Sequence, residues 1–338
     1  MVLRDFLIEN EFEVGPVAGG QNCSVESCLE GDASWARQGS WEKSAAYGLR
    51  GGFWQAMPRT QAQPFLKWAG GKRQLLSEIH KHIPEKFATY YEPFLGAGAV
   101  LFSLQPAQAV INDINEELVN CYAVIRDSVD ELIASLKRHT NDQDYYYWLR
   151  DLDRQECYRS LSPVERASRI LYLNKTCFNG LFRVNSQGYF NVPYGRYAKP
   201  KIVDEPVLRA VHEYLAGNDV RIENTDFEEA LKGVSPGDFV YLDPPYDPVS
   251  DTSSFTGYSL TGFSQKEQKR LKKLFDELTA KGCYALLSNS ATPLILELYQ
   301  EYDPIFVSAK RAINSKASGR GKIGEVLVNN FAHLKRKA

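Results

Sequence analysis

Methionine is nearly missing from this chain, which carries only Met1 and Met57 among 338 residues. Net charge is nearly missing too: at −2 the protein is no polycation, so bulk attraction to nucleic acid is excluded. The cysteines, Cys23, Cys28, Cys121, Cys157, Cys177 and Cys283, include no Cys-x-x-Cys pair, and no histidine stands at ligand spacing from them. That pattern indicates neither a structural zinc site nor a disulfide framework. Cys121, Cys177 and Cys283 lie in apolar surroundings and read as small core residues. No apolar run approaches the roughly 18 residues of a membrane span, and Asp5, Glu9, Glu11 and Glu13 break up any secretory leader. A soluble, cytoplasmic protein is expected. No separate carboxylate cluster suggests a bound metal, so nuclease chemistry is not expected.

The charge that is present lies unevenly. Residues 1–57 hold four basic and eight acidic side chains, are rich in Gly and Ser, and show no sustained periodicity. They read as a loosely structured N-terminal extension, or as an upstream start read in frame. From Leu171 to Lys201 there are five basic residues and no acid; from Phe306 to Ala338 there are eight against Glu325 alone. Two local basic stretches in a near-neutral chain suggest a specific surface that faces a polyanion. A solvated face with a basic tail is the plainer alternative.

From Phe65 onward the pattern is regular. Leu75, Leu76 and Ile79 share a helical face. Tyr90 to Phe94 reads as a strand, Val100, Leu101 and Leu104 as the helix after it, and Ala109 to Ile111 as a second strand ending at Asn112-Asp113. Leu118, Tyr122, Ile125, Leu132 and Leu136 predict a long helical region over 116–138, with more helix over 141–173. Asn174 to Lys201, rich in Asn, Gly and aromatics, predicts a hairpin turning near Ser186-Gln187-Gly188. Strand–helix alternation resumes with Arg221 to Glu223 leading to Asp226, then Phe239 to Leu242, a helix from Gln265 to Ala280 and a strand from Cys283 to Leu287. Ile305–Ala309 and Val326–Asn330 predict an antiparallel hairpin at a sheet edge, flanking the basic loop from Lys310 to Lys322. The whole predicts a doubly wound, Rossmann-like α/β sheet with a helical and hairpin insertion.

Two turns stand where strands end, the place at which open α/β sheets bind ligands. The first is Phe94-Leu95-Gly96-Ala97-Gly98, where glycines let the backbone approach a ligand closely. An acid ending the next strand, Asp113, is placed to bridge ribose hydroxyls. The third glycine of a dinucleotide fingerprint is replaced by Leu101, which argues for a smaller adenosine ligand without a pyrophosphate. Gly70-Gly71-Lys72 lacks the flanking residues of a phosphate loop, since Arg73 stands where Ser or Thr is required. Trp68 and Lys72 can instead cap the ligand pocket, although core packing accounts for Trp68 as well. The second turn is Asp243-Pro244-Pro245-Tyr246, after the apolar run Phe239–Leu242. Its aspartate offers an acceptor, its prolines stiffen the turn and its tyrosine offers a flat face, a set suited to an exocyclic amino group on a ring. An ordinary strand-end turn is the alternative.

Phe-x-Gly-x-Gly, Asp113 and Asp-Pro-Pro-Tyr, in that order, resemble the Dam family of DNA adenine-N6 methyltransferases, including the Dpn-type enzymes that modify GATC. The likeness covers nearly all of residues 64–331 and is dense at Phe65–Lys72, Glu92–Gly98, Asn112–Asn115, Asn174–Arg196, Phe239–Tyr258 and Leu286–Asn289. It implies an S-adenosylmethionine-dependent catalytic domain from residues 58–119 and 206–338, and a DNA target-recognition domain at 120–205. It also implies that Trp68, Lys72, Phe94, Gly96, Gly98 and Asp113 form the S-adenosylmethionine pocket, with Asp226 on the cofactor adenine. Asp243 would touch cofactor and target, with Pro244 and Pro245 beside it, and Tyr246 would stack on a flipped adenine. Lys67 and the Asn179–Asn191 hairpin, with Arg183, Asn185 and Gln187, would face DNA. Apart from the resemblance, Lys310 and Arg311 of the basic loop are expected to meet DNA phosphates. Some relatives carry a basic side chain at the hairpin tip; Gln187 departs from that and leaves the reader of the first base pair unassigned.

The resemblance implies methylation of adenine N6 in duplex DNA within GATC after the base leaves the stack, with Ser250 to Tyr258 closing over it. No metal and no cysteine nucleophile are expected. Expected partners are double-stranded DNA and a cognate restriction endonuclease, with the protein a monomer or weak dimer of bacterial or phage type. The competing readings are a methyltransferase for cytosine N4, RNA or a protein amide, and a catalytically silent DNA-binding protein of the same fold.

Overall fold

In a computed structural model, residues 61–248, 263–309 and 323–335 are described. The N-terminal stretch 1–57, the segment Ser250–Tyr258, and Lys310 and Arg311 lie outside them. The described residues fall into two units, one that takes in 61–151 and the described residues from 162 onward, the other 152–161. In the second unit, the described residues make 3-10 turns at Leu152–Arg154 and Glu156–Ser160.

The first unit is built on a seven-stranded sheet. Its strands are Tyr90–Glu92 (β1), Gln108–Asn112 (β2), Asp219–Glu223 (β3), Phe239–Leu242 (β4), Tyr284–Ser290 (β5), Ile305–Ala309 (β6) and Ile323–Asn329 (β7). Their spatial order is β3-β2-β1-β4-β5-β7-β6. β1 to β5 run parallel, and β7 runs antiparallel to both of its neighbours. The expected edge hairpin is therefore present. The chain leaves β1 in one direction through β2 and β3 and in the other through β4 and β5. The crevice between β1 and β4 is the switch point at which such sheets bind ligands.

β4 and the first half of β5 read as continuous apolar runs because both of their faces are covered. Val240, Leu242, Ala285 and Leu287 share a buried cluster with Leu271, Phe275 and Leu278 of Gln265–Lys281 and with Ile295 of Pro293–Leu298. On the opposite face Phe239 meets Tyr90 at 5.7 Å between ring centroids. Burial of a Phe or Leu side chain contributes about 1.5–3 kcal/mol, so this two-sided packing fixes where the strands end. The first-unit helices are Leu76–His80 (α1), Ala99–Leu104 (α2), Glu116–Asp127 (α3), Val129–Leu136 (α4), Gln143–Asp151 (α5), Pro163–Thr176 (α6), Glu205–Gly217 (α7), Phe227–Ala230 (α8), Gln265–Lys281 (α9), Pro293–Leu298 (α10) and Phe331–Lys335 (α11).

Several elements differ from expectation. The helical region over 116–138 breaks at Ser128 (φ −145°, ψ 47°), which ends α3 and begins α4. β1 stops at Glu92, short of Phe94, because Pro93 has no N–H to continue the ladder. β5 runs on to Ser290 through Ser288-Asn289-Ser290, polar residues that conceal a buried strand end. α7 was not among the sequence-derived elements, although Val207, Leu208, Val211 and Leu215 carry helical spacing and are buried. α6 starts on a full capping box, Ser162 and Glu165 satisfying each other's backbone N–H groups, with Pro163 in the first turn. The stretch after α6 forms the expected hairpin, with bridges Cys177–Tyr194 and Val184–Phe190 and left-handed Gly188 in its turn.

Candidate active site

The turn after β1 is shaped by its lack of side chains. Gly96 and Gly98 are left-handed, at φ +51° and +66°. A Cβ at Gly98 would stand 2.8 Å from the Tyr122 hydroxyl, and one at Gly96 would stand 3.0 Å from the Trp68 indole. Only glycine fits both constraints. The turn is fastened from outside. Tyr122, from α3, donates to the Gly96 carbonyl at 3.1 Å, and Asp113 accepts the Gly96 N–H at 2.9 Å and the Asn115 N–H at 2.9 Å. Burial pushes the Asp113 carboxyl up, and these two N–H donors pull it back. Asn112 braces the strand ends, donating to Pro93 and Thr225 carbonyls and accepting the Thr225 N–H.

Facing this turn is the loop that carries Trp68 and Lys72. The Lys72 ammonium is buried, donates to the Gly70 carbonyl at 2.6 Å and pairs with Asp243 at 2.7 Å. It also sits 4.6 Å from the centre of the Tyr246 ring. Trp68 lies against Gly96 and stacks on Phe182 of the hairpin at 4.7 Å. Asn174, from α6, accepts the Lys67 N–H at 2.9 Å and donates to the Lys67 carbonyl at 2.8 Å. One buried amide thus pairs both backbone groups of Lys67, whose side chain reaches the surface.

Asp243 begins the second turn, at the end of β4. Its Oδ1 accepts from Lys72 and, at 2.9 Å, from Ser288 of β5. Burial pushes the Asp243 carboxyl up; Lys72 and Ser288 pull it down. Tyr246 donates to Glu325 of β7 at 3.1 Å. A cleft runs between the two turns, lined by residues 69–72, Glu92, residues 95–100 and Asp243.

The structure therefore gathers Lys72, Gly96, Gly98 and Asp243 around one cleft, with Trp68 and Asp113 against the glycine turn. Pro244 is buried and Pro245 exposed, so the turn has one face in the protein and one in solvent. Phe94 packs against Phe227 and Phe263 at 5.3 and 5.7 Å. Asp226 is not among the lining residues: it caps α8 by accepting the Glu228 N–H, and it pairs with Arg270. On the hairpin, Asn185 accepts the Gln187 and Tyr189 N–H groups at 3.0 Å each and so shapes the turn. Arg183 donates to the Asn191 amide oxygen at 2.7 Å, Asn179 is left-handed at φ 57°, and Gln187 is exposed. Among the described residues no cluster of His, Cys, Asp or Glu could hold a metal, and no helix is long and apolar enough to cross a membrane.

Sequence reasoning overlooked the residues that hold these turns. Glu92 is buried at the cleft floor, accepting from the Tyr90 hydroxyl at 2.8 Å and the Leu101 N–H at 3.2 Å. Burial pushes its carboxyl up to about 8. A carboxylate at the end of an apolar strand is a visible anomaly. Glu325 had a signal too, as the lone acid of a basic stretch. Ser288 lay within the Leu286–Asn289 block of the resemblance, with no role assigned to it.

Comparison with known proteins agrees with this architecture. Residues 68–313 match the family model of the D12 class N6 adenine-specific DNA methyltransferases. The chain is 48% identical over 273 residues to a type II methyltransferase of Lactococcus lactis subsp. cremoris, covering 80% of this chain and 96% of that protein. It is 41% identical to a type II methyltransferase of Methanocaldococcus jannaschii, covering 80% and 100%. It is 34% identical to the DNA adenine methylase of Escherichia coli (strain K12), covering 78% and 93%. With a family match across most of the chain and relatives aligned nearly end to end, the protein belongs to the D12 class of N6 adenine-specific DNA methyltransferases.

Proposed function

We propose that the protein methylates N6 of adenine within GATC in duplex DNA, using S-adenosylmethionine, on a base taken out of the stack. The observation that carries this reading is the Asp243 carboxylate, fixed by Lys72 and Ser288 on a glycine-lined cleft, with the Tyr246 ring beside Lys72. The cleft suits S-adenosylmethionine. Its glycine backbone leaves no Cβ in the way, and the Lys72–Asp243 ion pair on its wall offers one cation and one anion to a zwitterionic ligand. Lys72, Gly96 and Gly98 would hold the ligand, with Trp68, Phe94, Asp113 and Asp226 around its nucleoside. When bound, it supplies an electrophilic methyl group on a sulfonium.

The adenine amino nitrogen is a poor nucleophile because its lone pair is delocalised into the ring. Asp243 and the Pro244 carbonyl would accept its N–H bonds and localise that pair for attack. Tyr246 would stack on the extruded ring. Extrusion costs a few kcal/mol, and such a platform offsets it. Positioning and electrostatics supply the acceleration, with no covalent enzyme intermediate.

Residues 120–205 would act as the target-recognition part, against a catalytic part from 58–119 and 206–338. Lys67, Asn179, Arg183, Asn185 and Gln187 would face the DNA there, joined by Lys310 and Arg311 at phosphates. The type II names of the relatives support a restriction endonuclease of the same specificity as a partner. Plasmid from a methylation-deficient host that expresses the protein tests the reading. It should resist a nuclease that cuts only unmodified GATC and be cut by one that needs N6-methyladenine there. Modified adenines mapped outside GATC would overturn the assigned sequence.

A further inference from the structure

Two fully buried amides, Gln268 on α9 and Asn289 on β5, lie behind the Asp243–Tyr246 turn and belong to neither the cleft nor the recognition hairpin. They form a directed relay. Gln268 Nε2 donates to the Pro245 carbonyl at 3.0 Å, and Gln268 Oε1 accepts from Asn289 Nδ2 at 3.1 Å. Asn289 Oδ1 in turn accepts the Asp247 N–H at 3.1 Å and the Ser290 N–H at 2.8 Å. The Ser290 hydroxyl closes the arrangement on the Asp247 carbonyl.

The connectivity has a mechanical consequence. Proline rings fix φ at positions 244 and 245, so the main freedom left to the turn is rotation about ψ at those residues and φ at Tyr246. Gln268 pins the peptide that joins Pro245 to Tyr246, and Asn289 pins the N–H of the residue after Tyr246. Both ends of Tyr246 are thereby tied to the same relay, while the Pro244 carbonyl is left out of it. An apolar pair of equal size would fill the space without setting these torsions. Burying two amides is costly unless the donor and acceptor of each are satisfied, and here two of the partners, the Pro245 carbonyl and the Asp247 N–H, are backbone atoms of the turn.

We propose that Gln268 and Asn289 are positioning residues: their relay sets the Tyr246 platform and aims the Pro244 carbonyl at the target amino group. The proposal rests on the reading of Asp243–Tyr246 as the methyl-acceptor site. Each amide acts through the turn and touches no substrate.

The test measures single-turnover methyl transfer to a GATC duplex at saturating S-adenosylmethionine, beside the dissociation constants of both ligands and the melting temperature. Gln268→Met removes the donor and acceptor while keeping the volume. Its transfer rate should fall about 10- to 100-fold while both dissociation constants stay within about twofold of wild type. Gln268→Glu separates positioning from packing. The ionised side chain keeps the acceptor for Asn289 but has nothing to donate to Pro245, whereas the protonated side chain reproduces the amide. Its rate should therefore recover as pH falls, in a limb that wild type lacks. A folded Gln268→Met enzyme with wild-type transfer rate would overturn the proposal. So would a Gln268→Glu profile parallel to wild type, which would leave the relay a packing feature. Asp243→Ala, run alongside, distinguishes the failures: if it retains transfer, the acceptor-site reading itself is wrong.

Discussion

The two turns that flank the cleft are built on opposite principles. The one after β1 is made of backbone: left-handed glycines, with 2.8 Å between a hypothetical Gly98 Cβ and the Tyr122 hydroxyl. The one after β4 is made of side chains, and its partners come from four other elements: Lys72, Ser288, Glu325 and Gln268. A backbone turn is specified by what its own residues lack. A side-chain turn is specified by residues far away in the chain. The first should therefore fail through sterics, as lost stability and lost ligand affinity, and the second through misdirected chemistry in a folded protein.

The largest contrast is expected from Lys72→Met. Removing one member of a buried pair leaves Asp243 without its cation, which costs roughly 3–5 kcal/mol. Burial already pushes Asp243 up and Lys72 pulls it down, so its pKa rises further without Lys72. The ionised Asp243 carboxylate is the stronger acceptor for the amino N–H bonds. Transfer at neutral pH should fall about 100-fold or more, and the acid limb of the single-turnover profile should move to higher pH, with activity recovered on raising pH. An unmoved limb would detach Lys72 from the tetrapeptide.

Gly98→Ala should break the other turn. A left-handed alanine costs about 1–2 kcal/mol, and overpacking against Tyr122 adds about 1–3 kcal/mol. A lower melting temperature and weaker S-adenosylmethionine binding are expected by calorimetry. Unchanged binding would mean that the glycine turn serves the fold alone.

A smaller effect should come from Glu92→Gln, between the turns. Burial holds the folded Glu92 carboxyl at about 8, against 4.5 for an ordinary glutamate. Between those values the folded protein holds a proton that the unfolded chain has released, so wild-type stability falls as pH rises through that window. Glutamine stays neutral, so the melting temperature of the variant should vary less between those pH values. Equal slopes would place the pH dependence elsewhere.

The same contrast explains what could be read in advance. Gly96, Gly98, Asp113 and Asp243–Tyr246 are local signals, each a residue type at a strand end, and alternation of apolar runs placed them on one sheet edge. Ser288, Gln268, Asn289 and Asn174 look in sequence like ordinary polar residues of a strand or helix. Their meaning arises only when parallel strands and a returning β7 bring them within hydrogen-bond reach of a turn. Helix boundaries failed for local reasons, as at Ser128, where one non-helical residue divides two segments of matching periodicity. Asp226 shows a converse limit: its strand-end position was legible, but its pairing with Arg270 and its cap on α8 were not.

The central claim, that the Asp243 carboxylate prepares the adenine amino group for methyl transfer, is tested most directly by tritium transfer from labelled S-adenosylmethionine to a GATC duplex by Asp243→Ala. The account predicts that transfer falls about 1,000-fold or more while the duplex still binds within about twofold of wild type. Transfer within an order of magnitude of wild type, by a folded Asp243→Ala protein, would contradict it.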